Sequence, residues 1–222
     1  MVDRKIEQEV QIAILGLGTV GSGVKSILEE SGFSISENIY RSFGVRAAIK
    51  IKKILVRNLP KDANIELENG LYTTDFQEIE DDEEIKIVVE LIGGMENATD
   101  YMCRALQAGK HVVTANKLAI ANSNGRFERL SKEKNCSFKY EASVAGAVPV
   151  IRVIEESLGA NKITSISGIL NGTTNYILSQ MEEKDKDFEE ALADAKDLGF
   201  AESNSESDIS GKDAMYKIAI LA

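Results

Sequence analysis

The run "VQIAILGLG" (10–18) is almost unbroken in its apolar character and closes on glycine. That pattern predicts a parallel strand buried on both faces, because a half-solvated strand would alternate. A helix is predicted roughly from Thr19 to Glu30. "VRAAIKIKKILVRN" (45–58) reads as a second strand region and "IKIVVELIGG" (85–94) as a third, very apolar one. A helix near 98–108 then stops at Gly109, followed by the strand "HVVTAN" (111–116), a helix near 123–134 and the strand "SFKYEASV" (137–144). Strands alternating with helices in this way predict an α/β domain with a doubly wound parallel sheet. The acidic run "EIEDDEE" (78–84) reads as a solvated turn leading into a strand.

The character changes after this. "AGAVPVIRVIEESLG" (145–159) predicts a helix, and the β-branched stretch from 162 leads through Asn-Gly-Thr-Thr into another. "DFEEALADAKDLG" (187–199) is an amphipathic helix with Gly199 as its stop. A domain boundary is expected near 146–150, dividing the chain into a nucleotide-binding domain (1–147) and an α+β substrate domain (148–222). The last residues, "KIAILA", lie inside an apolar helix without a stop signal, so a longer natural protein is expected.

Composition narrows the chemistry. Thirty-six acidic against 26 basic residues give a net charge of −10, which argues against a nucleic-acid or acidic-membrane partner. Two cysteines without a secretory leader favour a reducing, cytoplasmic setting. No apolar run approaches the roughly 18 residues of a membrane span. A single histidine, His111, argues against a zinc centre or a Ser-His-Asp triad.

"GLGTVG" (16–21) fits G-x-G-x-x-G directly between a strand and a helix, where a dinucleotide fingerprint must lie. Gly16 would permit the tight turn, Gly18 the approach of a pyrophosphate, and Gly21 close helix–strand packing. Thr19 and Val20 would open the helix whose N-terminus faces the anion. The acidic residue that usually holds a ribose 2′-hydroxyl is missing. Arg57 and Lys61 stand near the end of the second strand instead, which favours NADP(H) over NAD(H). "SGFSISENIYRSFG" (31–44) makes an unusually long connection to that strand and leaves its register open.

In "GFAESNSESDISGKDAMYK" (199–217), Asp213 and Lys217 lie four residues apart on one helical face. Either they form a surface ion pair or Lys217 is an acid–base group, and the pattern alone leaves both open. Lys117 follows a strand at the edge where ligands of parallel sheets gather, but it could equally be a surface lysine at a helix start. Gly93 and Gly94 could admit a cofactor ring or simply make a turn.

Taken in order, "VVELIGG" (88–94), "AGKHVVTANK" (108–117), "YEASVAGAVPVI" (140–151) and "ILNGTTNYIL" (169–178) resemble the blocks of homoserine dehydrogenase. So does the constellation Ala195, Gly199, Glu202, Asn204, Asp208, Gly211, Asp213 and Lys217. Ser205 departs from the family pattern, which has proline there. The resemblance runs from about Val10 to the end and implies a Rossmann domain joined to part of a catalytic and dimerisation domain. It implies reversible reduction of L-aspartate 4-semialdehyde to L-homoserine with NAD(P)H, on the way to threonine and methionine, by a homodimer. Lys217 would be the general acid/base and Asp213 would orient it or the substrate. Lys117 would contact nicotinamide and substrate, Asn116 and Thr114 would help hold the cofactor, and Gly93 and Gly94 would admit its ring. Glu202 and Asp208 would grip the substrate in a cleft shaped by Asn171, Gly172 and Thr173. Glu141, with the carbonyls of Val144, Gly146 and Val148, would hold a structural sodium ion.

Two other readings compete. A semialdehyde dehydrogenase would need an activated Cys–His pair, which Cys103, Cys136 and His111 do not suggest. A redox-sensing nucleotide-binding module, or an inactive fragment of the enzyme, would use the glycine turn equally well.

Overall fold

The computed structural model describes residues 6–60, 70–201 and 205–222. The chain divides into two compact units, Met1–Ala142 and Ser143–Ala222, so the division falls a few residues ahead of the expected boundary.

The first unit is built on six parallel strands: β1 (Gln8–Leu15), β2 (Ala47–Leu55), β3 (Tyr72–Thr73), β4 (Ile85–Glu90), β5 (His111–Thr114) and β6 (Phe138–Lys139). Their spatial order is β3-β2-β1-β4-β5-β6. β1 pairs with β2 on one side and β4 on the other, so the winding reverses at its carboxyl end. That reversal opens a crevice where ligands of doubly wound sheets bind. The apolar run that predicted β1 is the centre of the core, with Ile12, Ala13, Ile14 and Leu15 all buried.

Around the sheet run α1 (Thr19–Glu30), α2 (Gly32–Phe43), α3 (Gln77–Glu80), α4 (Glu96–Gln107), α5 (Lys117–Ala121) and α6 (Arg126–Glu133). α1 keeps the predicted bounds. α2 is a difference: the supposed long connection is mostly helix. Its Ser, Phe, Ile and Tyr residues are middling helix formers, so propensity does not announce it. Tertiary contacts hold it instead, since buried Arg46 lies 4.3 Å over the Tyr40 ring and pairs with Glu37. Gly44, with φ of 74°, ends the helix in the left-handed conformation that favours glycine. The helix expected near 123–134 is α6, whereas α5, a short helix ahead of it, was not anticipated. β6 is shorter than its predicted strand and gives way to a 3-10 turn at Glu141–Ser143.

The acidic run is more than a solvated turn. Lys52 of β2 reaches Asp82 at 2.7 Å and Glu84 at 2.6 Å, Lys53 reaches Glu78 at 2.8 Å, and Arg104 of α4 pairs with Glu80. Lys52 and Lys53 of β2 are thus matched by acids that precede β4.

The second unit contains α7 (Gly172–Lys184), α8 (Phe188–Asp197), α9 (Glu206–Ile209) and α10 (Lys212–Leu221). The helix predicted over 145–159 is not continuous. Ala145 and Gly146 have φ of 62° and 52°, and Pro149 lacks a donor, so helical structure resumes only at Ile151 and continues as a π-type turn at Val153–Ser157. α7 and α8 pack through Ile177, Ala191, Leu192 and Ala195. Burying such a leucine or isoleucine contributes about 1.5–3 kcal/mol. Gly199, with φ of 77°, turns the chain after α8 so that Phe200 stacks on Tyr176 at 4.7 Å.

Candidate active site

In the first unit the crevice is bordered by three strand-end loops. The glycine turn after β1 gives Gly16 a φ of 95°, and a Cβ there would lie 2.9 Å from the Leu91 carbonyl oxygen. A Cβ at Gly21 would overlap the Gly16 carbonyl. Gly18 is different, because its φ of −75° suits any residue and a Cβ would meet nothing within 4 Å. Neither backbone strain nor crowding accounts for glycine there, while close approach of a ligand would. Thr19 and Val20 begin α1, whose N-terminus carries no side-chain cap and no acidic residue in its first turn. Its N–H groups are thus left to an anion. These residues fit a dinucleotide pyrophosphate.

Arg57 is exposed just past the end of β2, as the sequence placed it, and Lys61 lies outside the described residues. After β4, Gly93 and Gly94 have φ of 68° and 72°, so the turn itself needs them, and a Cβ on either would stand in open space. Asn116 uses both ends of its amide. Its Oδ1 accepts the Ala119 N–H at 3.0 Å, capping α5, and its Nδ2 donates to the Gly94 carbonyl at 2.7 Å. Lys117 is the first residue of α5 and half-buried. The Thr114 hydroxyl is buried and faces Glu90, which sequence reasoning passed over. A carboxylate closing the apolar run "IKIVVE" was the available signal.

The second unit gathers five of the predicted polar residues. Asn171 caps α7, its Oδ1 accepting the Thr174 N–H at 2.8 Å. Its Nδ2 then donates to Asp208 at 2.8 Å and to Asp213 at 2.9 Å. The Lys217 ammonium donates to the same Asp213 oxygen at 2.7 Å and to the Leu170 carbonyl at 2.6 Å. The Thr173 hydroxyl donates to the Phe200 carbonyl at 2.6 Å, with Asp208 Oδ2 at 3.3 Å. Asp213 is only 4% exposed and Asp208 half-buried. The pair four residues apart on α10 is therefore a buried carboxylate under an ammonium, joined to a second carboxylate through one amide. A surface ion pair would have neither the burial nor the bridge. Gly172 opens α7, and Glu202 lies outside the described residues.

Of the expected cation ligands, Glu141 falls in the first unit and Val144, Gly146 and Val148 in the second. The Cys–His alternative loses ground. Burial pushes the Cys103 and Cys136 thiols up, opposite to an activated nucleophile, and His111 Nδ1 accepts the Ser137 N–H at 2.8 Å. Among the described residues no helix is long and apolar enough to cross a membrane.

The family model for the homoserine dehydrogenase NAD-binding domain matches residues 16–141, and the homoserine dehydrogenase family model matches 149–222. The homoserine dehydrogenase of Bacillus subtilis is 41% identical over 213 residues, covering 96% of this chain and 48% of the relative. The crystal structure of a homoserine dehydrogenase from Thiobacillus denitrificans superimposes with a TM-score of 0.83 at 40% identity, over 98% of this chain and 49% of that one. A hyperthermophilic archaeal homoserine dehydrogenase in complex with NADPH gives a TM-score of 0.77 at 29% identity, over 96% of this chain and 68% of that one. The chain spans about half the length of the curated relatives it matches.

Proposed function

The chain belongs to the homoserine dehydrogenase family, and from that premise we propose that it catalyses reversible hydride transfer between NAD(P)H and L-aspartate 4-semialdehyde, yielding L-homoserine for threonine and methionine synthesis. The observation that carries the reading is the Asn171 amide bridging two carboxylates, one of which holds Lys217.

The nicotinamide, when bound, supplies or accepts the hydride. The chain must do the rest. An aldehyde that gains hydride becomes an alkoxide and needs a proton, which Lys217 Nζ delivers; in the reverse direction the uncharged amine takes it back from the hydroxyl. Asp213 holds that nitrogen in place, and Asn171 fixes Asp213. Asp208 and Glu202 receive the polar groups of the substrate, because a carboxylate is the natural acceptor for an ammonium or hydroxyl. Thr173 and Gly172 shape this cleft, and Lys117 serves both cofactor and substrate.

In the first unit, Gly16, Gly18, Thr19, Val20 and Gly21 cradle the pyrophosphate, and Gly93, Gly94, Thr114 and Asn116 shape the nicotinamide end. Arg57 and Lys61 favour the 2′-phosphate of NADP(H), a preference that the NADPH complex of the archaeal relative supports by analogy. By the family resemblance, Glu141 and the carbonyls of Val144, Gly146 and Val148 would be the ligands of a structural sodium ion. The working form is a cytoplasmic homodimer.

Initial rates with L-homoserine, comparing NADP with NAD, test the cofactor assignment. Turnover should favour NADP, and Arg57→Ala should reduce that preference by roughly tenfold, the scale of one charge-assisted contact. An unchanged preference in the variant would remove Arg57 from the site.

A further inference from the structure

Glu90 ends β4 with its side chain fully buried, beside Leu15 of β1 and Thr114 of β5 in the sheet register. Its carboxylate accepts the Ile92 N–H at 2.9 Å and the Thr114 hydroxyl at 2.6 Å. Thr114 has one hydroxyl proton, which it gives to Glu90, and its oxygen accepts the Asn116 N–H at 2.9 Å. Asn116 in turn donates to the Gly94 carbonyl at 2.7 Å. On the other side, the Leu91–Ile92 segment that Glu90 holds lies against Gly16 of the glycine turn. One side chain therefore ties together all three loops that border the crevice.

A neutral amide could link the same loops by reversing one bond, its oxygen accepting the Ile92 N–H and its NH2 donating to the Thr114 oxygen. Neither partner of Glu90 is a cation, and burying a charge on one N–H and one hydroxyl costs free energy that a neutral side chain would avoid. The charge calls for a function of its own. At the carboxyl ends of β1, β4 and β5 it lies beside the position expected for the nicotinamide, in surroundings that screen it weakly. That ring is cationic when oxidised and neutral when reduced.

We propose that Glu90 is a positioning residue that also selects the redox state of the cofactor, its buried carboxylate favouring the oxidised ring over the reduced one. The inference rests on the dinucleotide reading above and adds a residue and a preference to it. Glu90 holds the loops through hydrogen bonds and biases the ring through its charge, so the two duties separate on substitution.

Fluorescence titration of the 222-residue chain with NADP and NADPH gives both Kd values and their ratio. Glu90→Gln keeps the shape and removes the charge; it should weaken NADP relative to NADPH by roughly threefold or more. Glu90→Asp keeps the charge but shortens the reach; it should weaken both forms while leaving their ratio near that of the unmodified chain. Equal loss of both forms in Glu90→Gln would overturn the proposal. So would a shifted ratio in Glu90→Asp, a test that remains should Glu90→Gln not fold. Failure of the unmodified chain to bind either form would instead overturn the dinucleotide reading, and the inference with it.

Discussion

Gly18 and Gly21 stand three residues apart in one turn and are glycine for opposite reasons. At Gly21 a methyl group would overlap the Gly16 carbonyl, so the position serves the packing of α1 on β1. At Gly18 a methyl group would meet open space, which leaves the position open to a ligand. Gly18→Ala should therefore change stability by less than about 1 kcal/mol, in the range of helix-cap substitutions, and weaken dinucleotide binding by roughly tenfold. Gly21→Ala should lower the melting temperature markedly, as overpacking does, at a cost of about 1–3 kcal/mol. Thermal melts with and without cofactor check both, and Gly18→Ala binding with full affinity would count against a phosphate at that turn. The motif was legible in the sequence, but the division of labour inside it was not, because spacing carries no information about what surrounds a Cα. The same holds for Asn171, whose two amide protons join Asp208 and Asp213 across 37 and 42 residues of sequence. Such a bridge is set by the fold and leaves no local signature.

Among elements, the buried strands were the most legible, since an apolar run closed by glycine has few other uses. α2 was the least: its apolar residues do recur at helical spacing, but its Ser-rich composition reads as a connection, and the stacking of Arg46 on Tyr40 helps to hold it. The acidic run shows the same limit, because its partners Lys52 and Lys53 lie in β2, remote in sequence. Burial pushes the Asp82 carboxyl up, but the Lys52 ammonium, the Glu84 N–H and the charge of Lys110 outweigh it and hold the group below its usual 3.8. A carboxyl depressed in the folded state contributes stability that is complete above the unfolded value and lost as pH falls through the folded one. Asp82→Asn should thus cost about 1 kcal/mol near neutral pH, with the gap to the unmodified chain closing as pH falls below 3.8. Urea melts across that range check the sign; a gap independent of pH would mean the pair contributes through packing alone.

Taken whole, the chain has two units with different tasks. The first has the crevice of a doubly wound sheet, and the second has a compact cluster of carboxylates, amide and lysine. The cofactor unit could be read from its pattern. The catalytic role proposed for Asp213 and Lys217 could not, since four-residue spacing on a helix describes ordinary ion pairs equally well. The resemblance to a family suggested the answer, and the burial of Asp213 supplies its physical support. The most direct test of the account is the rate of reduced-nicotinamide formation from L-homoserine and NADP by this chain and by its Lys217→Met variant. The account predicts turnover that falls by roughly a thousandfold in the variant, the scale of a lost general acid/base, while cofactor binding persists. Equal turnover by the two proteins, or none from the unmodified chain, would contradict it.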